Sequence, residues 1–91
     1  MNGKRTLYEI YWEILSFCRS PRTFTSIINR CSLNSKIGQE HIGFLLSKGY
    51  LNNFEEGEKS LYRTTERASV FLDAFKEMYV ELYNRGPEFK L

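Results

Sequence analysis

The sequence predicts a mainly α protein with one small β-hairpin and a long final helix. Three observations lead there. Apolar residues recur at spacings of three and four in four separate segments, and the period shortens only between Tyr50 and Thr64. The last helical segment also carries an apolar band wider than one core-facing stripe.

Leu7, Ile10, Tyr11, Ile14, Leu15 and Cys18 line one face of a first helix from about Thr6 to Cys18. Pro21 ends it, because proline holds Ser20 in extended geometry and has no N–H to donate. Phe24, Ile27, Ile28 and Cys31 fall at i, i+3, i+4 and i+7, which gives a short second helix from about Thr23 to Cys31 that survives only by packing. Ser32-Leu33-Asn34-Ser35 is a turn-and-cap cluster, with Asn34 or Ser35 capping a third helix that runs to about Lys48. Its inward face is Ile37, His41, Ile42, Leu45 and Leu46; Lys36, Gln39, Glu40, Gly43 and Ser47 lie opposite. Gly49 closes this helix through a left-handed turn. Gly38 and Gly43 each cost about 1 kcal/mol relative to alanine inside a helix, so close packing against the second helix is the expected compensation.

Tyr50–Phe54 and Lys59–Thr64 form the hairpin, and Gly57 in Glu55-Glu56-Gly57-Glu58 supplies the positive φ of its turn. Thr64 or Thr65 is expected to cap the last helix, which continues to Tyr83 or Asn84 before Gly86-Pro87 stops it. Pro87–Leu91 reads as a loose tail. The segments divide as 1–64, 65–85 and 86–91.

Ninety-one residues, 42% hydrophobic and 26% charged, suit one small folded domain for which a second copy is a natural source of stability. No apolar run approaches the roughly 18 residues of a membrane span, and Met1–Arg5 does not open a signal peptide, so a cytoplasmic, nucleoid-associated protein is expected. Cys18 and Cys31 read as buried thiols, with a disulfide or redox switch as the rival. The net charge is only +2, but residues 1–36 hold Lys4, Arg5, Arg19, Arg22, Arg30 and Lys36 against Glu9 and Glu13. This first third is a candidate electrostatic footprint.

The order helix, helix, turn, helix, hairpin, long helix matches the winged helix-turn-helix plan. Tyr8-Glu9-Ile10 followed by Ile14-Leu15 and Cys18, Ser20-Pro21-Arg22-Thr23, Leu33, Leu45 ahead of Lys48-Gly49-Tyr50-Leu51, and Tyr62 before Thr64 make the chain specifically familiar. From Arg5 to Tyr83 it resembles the small dimeric winged-helix DNA-binding proteins of archaea, the ten-kilodalton Sulfolobus chromatin-protein type and its regulator relatives. The resemblance implies a homodimer held by the C-terminal helices and duplex DNA bound by the second and third helices and the wing. Two positions depart from the pattern: the wing tip carries three carboxylates, which a phosphate backbone repels, and Arg67 stands where the family has glycine.

On this plan the exposed start of the third helix reads base edges: Lys36 donates to guanine, Gln39 pairs with adenine, Glu40 accepts from cytosine, and Ser35 lies beside them. Arg22, Thr23 and Thr25 at the start of the second helix, with Lys59 and Arg63 on the wing, are the candidate phosphate contacts. Phe71, Phe75, Met78, Tyr79 and Leu82 form the candidate dimer seam, against the rival in which the last helix folds back over Tyr8, Tyr11 and Trp12. His41 reads as a core imidazole, and Cys18, Cys31 and His41 have no zinc-site spacing. Neither catalysis nor a cofactor or metal is expected. The competing function is a winged-helix protein-interaction module that ignores DNA, favoured by the acidic wing and low net charge.

Overall fold

A reciprocal cap starts the chain's first helix. The computed structural model describes residues 4–90. Thr6 Oγ1 accepts from the Glu9 N–H at 3.1 Å, and the Glu9 carboxylate accepts from the Thr6 N–H at 2.8 Å, at the head of α1 (Leu7–Phe17). Two N–H groups that a helix start leaves without partners are thereby satisfied.

Beyond Pro21 the backbone is extended long enough to make a strand the periodicity did not reveal. This strand, β1 (Arg22–Thr23), runs directly into α2 (Phe24–Arg30). A two-residue strand has no detectable alternation; it exists because the hairpin offers it an edge. Ser32 at φ +55° reverses the chain, and Asn34 caps α3 (Ser35–Ser47), its Oδ1 accepting from the Ile37 N–H at 2.8 Å. Gly49, at φ +76°, ends α3 as expected: its N–H donates to Leu46 O and that of Tyr50 to Leu45 O, each at 3.0 Å.

The hairpin strands β2 (Leu51–Glu56) and β3 (Lys59–Thr64) turn at Gly57, φ +65°. The antiparallel sheet has order β1-β3-β2, with Arg22 opposite Tyr62, Leu51 opposite Thr64, and Glu56 opposite Lys59 at the tip.

Thr64, the last residue of β3, and Thr65 after it do not cap the last helix with their side chains. Thr64 Oγ1 donates to Leu15 O at 2.7 Å and Thr65 Oγ1 to Gly49 O at 2.6 Å, which fastens the wing root to α1 and to the end of α3. A 3-10 turn (Glu66–Ala68) intervenes before α4 (Ser69–Tyr83). Arg67 belongs to this turn, and its Nε donates to Lys48 O at 2.9 Å. The left-handed Asn84, φ +59°, terminates α4 ahead of Gly86-Pro87.

Ile14, Leu15, Cys18, Ile27, Cys31, Ile42, Leu45, Leu51, Ala68 and Leu72 make one core where all four helices meet the wing root. Gly38 permits the α2–α3 crossing: a Cβ there would lie 2.5 Å from Ile28 Cγ2. Gly43 has no such role, since a Cβ there would meet nothing within 4 Å. His41 is half-buried and meets the Tyr11 ring edge-on at 5.5 Å.

The tail is docked rather than loose. Phe89 packs against Trp12, with ring centroids 5.5 Å apart, and lies 3.9 Å from the Arg30 guanidinium. The Lys90 N–H donates to Glu13 Oε2 at 3.0 Å, and Lys90 Nζ pairs with Glu9 at 2.9 Å. Glu13 is 1% exposed and also pairs with Arg5, so one buried carboxylate ties both terminal segments to α1. A charge so buried survives only when paired and hydrogen-bonded.

Candidate nucleic-acid interface

Helices α2 and α3 present the candidate surface. The Asn34 cap sets the first turn of α3, and Ser35, Lys36, Gln39 and Glu40 all stand exposed on it, as do Gly43 and Ser47 beyond. The three residues expected to read bases, with Ser35 beside them, therefore share one solvent-facing stretch of helix.

The expected phosphate contacts are less uniform. Thr25 is exposed, but Thr23 is half-buried and occupied as a cap, its Oγ1 accepting from the Ser26 N–H at 3.2 Å and donating to Ser26 Oγ at 3.1 Å. Arg22 is half-buried as well: its Nε donates to Phe17 O at 2.9 Å and its guanidinium lies 4.0 Å from the Phe17 ring centre. With Arg5 paired to Glu13 and Arg30 against Phe89, three of the six basic side chains in residues 1–36 engage the protein itself. Lys4, Arg19 and Lys36 are exposed.

On the wing, Lys59 and Arg63 are exposed, and so are Glu55, Glu56 and Glu58. Opposed pairing of Lys59 and Glu56 compensates the positive charge nearest the tip. Arg63, nearer the root, stands opposite Asn52.

The family model described as winged helix-turn-helix matches residues 4–82. The chain belongs to this winged helix-turn-helix family. No curated protein matches the sequence. Among solved structures, the winged helix-turn-helix chain is similar to the DNA-binding protein Sso10a-2 from Sulfolobus solfataricus, at 25% identity and TM-score 0.73, covering 88% of this chain and 87% of that one. It is also similar to the transcriptional regulator BldR from the same organism (17% identity, TM-score 0.68, 82% of this chain and 60% of that one). The oxidized form of MarR from E. coli aligns at 16% identity and TM-score 0.66, over 81% of this chain and 60% of that one. These likenesses and the family model agree on a winged helix-turn-helix fold.

The remaining sequence candidates also have definite places. The structure splits the predicted seam: Phe75 and Tyr79 are 5% and 4% exposed within their own chain, where Phe75 stacks on Trp12 at 6.3 Å. They leave Phe71, half-buried, and Met78 and Leu82, 48% and 61% exposed, as the part of the band open to a partner. One part of the band is thus packed within the chain and the other is exposed. Cys18 and Cys31 are free, fully buried thiols, which burial pushes up to about 12 and about 11. Burial thus disfavours the thiolate that disulfide chemistry requires. No helix among the described residues is long and apolar enough to cross a membrane.

Two residues that sequence reasoning missed matter here. Glu13 resembles any surface glutamate of an amphipathic helix until Arg5 and Lys90 are placed beside it. Phe44 was assigned to neither face of α3; it is 45% exposed and stacks on Tyr11 at 5.2 Å.

Proposed function

We propose that this protein is a homodimeric duplex-DNA-binding protein without catalytic activity, a transcription regulator or chromatin-type architectural protein acting in the cytoplasm at the nucleoid. The observation that carries the reading is the exposed start of α3, where Ser35, Lys36, Gln39 and Glu40 lie together on a helix of the type that enters the major groove. Family membership and the likeness to Sso10a-2 support it. Thr25 and the half-buried Arg22 and Thr23 supply backbone contacts from α2, and Arg63 with Lys59 contacts phosphate from the wing root while the acidic tip stays out of the groove. The exposed side of α4, centred on Phe71, Met78 and Leu82, pairs with a second copy, so that two α3 helices reach successive grooves about 34 Å apart.

Fluorescence anisotropy of a 30-base-pair duplex across salt concentrations tests this. Affinity falling steeply with salt, with the slope reduced by roughly one in Lys36→Ala, is the expected result. Absence of binding at low salt overturns it and favours a protein-interaction module, the reading suggested by the exposed acidic wing tip and by the basic side chains engaged internally.

A further inference from the structure

The segment after α4 returns to α1 and the end of α2, where it meets two of the chain's cations. Phe89 touches both helices: its ring packs on Trp12 of α1 at 5.5 Å and lies 3.9 Å from the guanidinium of Arg30, in the last turn of α2. Lys90 fastens the segment beyond it, with Nζ 2.9 Å from Glu9 and the backbone N–H donating to Glu13 Oε2 at 3.0 Å. The other oxygen of Glu13 takes Arg5 Nη1, and Arg5 Nη2 donates to Ser32 O at 3.4 Å. Ser32 belongs to the turn between α2 and α3. Arg5 therefore stands beside the helix-turn-helix and yet is buried, its side chain 6% exposed.

We propose that the segment from Pro87 to Lys90 is an autoinhibitory strap: it withholds Arg5 and Arg30 from duplex DNA, and a phosphate backbone competes with it for both cations. The proposal rests on the DNA-binding reading above. For Arg5 the decisive quantity is burial. Glu13 is 1% exposed, with the strap on one oxygen and Arg5 on the other, so water does little to screen the pair. Such a pair holds its cation against a competing anion far better than one in water does. Loss of the strap opens Oε2 to solvent, and the pair weakens to an ordinary surface one that a phosphate can break. Arg30 is exposed and lies over the ring of Phe89, a weak attraction at a solvated site that a phosphate outcompetes more easily. Bulk charge does not enter, because residues 87–91 contain one glutamate and one lysine and their removal leaves the net charge unchanged. Any gain in DNA affinity on their removal therefore comes from the two released arginines.

The test is a salt-dependent anisotropy titration of a 30-base-pair duplex with four proteins: the unaltered chain, Phe89→Ala, the chain ended after Gly86, and that shortened chain carrying Arg5→Gln and Arg30→Gln. Ending at Gly86 leaves α4 and its Asn84 terminus intact. The shortened chain should bind about three- to tenfold more tightly at low salt, with a log–log salt slope steeper by about one to two, at roughly 0.9 per phosphate contact. Phe89→Ala should give part of that gain, and the two glutamines should abolish it. Trp12, the chain's single tryptophan, reports the strap directly: in the unaltered chain its quenching by acrylamide should rise as duplex saturates, toward the value of free Phe89→Ala. Equal affinity and slope for the unaltered and shortened chains would overturn the strap and leave the DNA-binding reading standing. A gain that survives the loss of both arginines, or Trp12 quenching unchanged at saturation, would also overturn it. Absence of binding by all four proteins would overturn both readings together.

Discussion

Alanine in place of Gly38 isolates the α2–α3 crossing, provided Gly43→Ala is measured beside it. Both substitutions bring the same helix-propensity gain, about 1 kcal/mol. They differ in surroundings: the new Cβ at position 38 would sit 2.5 Å from Ile28 Cγ2, against nothing within 4 Å at position 43. Ordinary carbon–carbon contact is about 3.5–4.0 Å, so more than an ångström must be found. Cγ2 is a branch directly on the Ile28 Cβ, itself 3.7 Å away, and cannot swing aside as the end of a long chain would. The helices must separate instead, which overpacking data price at about 1–3 kcal/mol. Gly43→Ala should therefore be stabilising by up to about 1 kcal/mol, and Gly38→Ala should fall below it by about 1–3 kcal/mol. Thermal unfolding at one fixed protein concentration reads this as a Tm gap of at least about 5 °C between the two variants. Equal Tm values would refute the claim that glycine at position 38 sets how closely α2 approaches α3.

On the proposed homodimer, Met78→Glu puts a charge into the exposed face of α4 while leaving Phe75 and Tyr79 packed, so sedimentation equilibrium should report a dimer for the unaltered chain and a folded monomer for the variant; equal masses would refute the proposed seam. Arg5→Ala leaves the Glu13 carboxylate buried without its cation and should cost about 3–5 kcal/mol in urea unfolding, the usual loss for breaking a buried pair. Phe89→Ala should increase quenching of Trp12 fluorescence by iodide, because it removes a ring lying against the indole. Since burial raises both thiols, the unfolded chain loses its cysteine protons first as pH climbs past about 9; stability should decline from there toward pH 12, and Cys18→Ala should flatten that alkaline loss.

Much of the fold was legible because it depends on local signals. The apolar spacing located four helices, Pro21 and Gly49 marked ends, Asn34-Ser35 marked a start, and Gly57 located the hairpin turn. The exposed polar start of α3 was legible for the same reason, because which side of a helix faces solvent follows from its 3.6-residue period. What was not legible involved partners distant in sequence. Strand β1 is two residues long and owes its existence to the edge of β3. Thr64 and Thr65 look like caps, but the carbonyls of Leu15 and Gly49 reach their hydroxyls first.

By itself, then, the amino-acid sequence determined where the helices and hairpin lie, in what order, and that they assemble as a winged helix-turn-helix. Periodicity and turn chemistry are properties of neighbouring residues, so a one-dimensional reading captures them. Only the tertiary structure decided how those surfaces are used. It engaged Arg5, Arg22 and Arg30 with the protein, docked the tail on Glu13 and Trp12, and divided the apolar band of α4 into a packed face and an open one. Charge and apolarity are readable from composition, but whether a side chain meets solvent, a partner or its own core depends on which distant groups folding brings within a few ångströms of it.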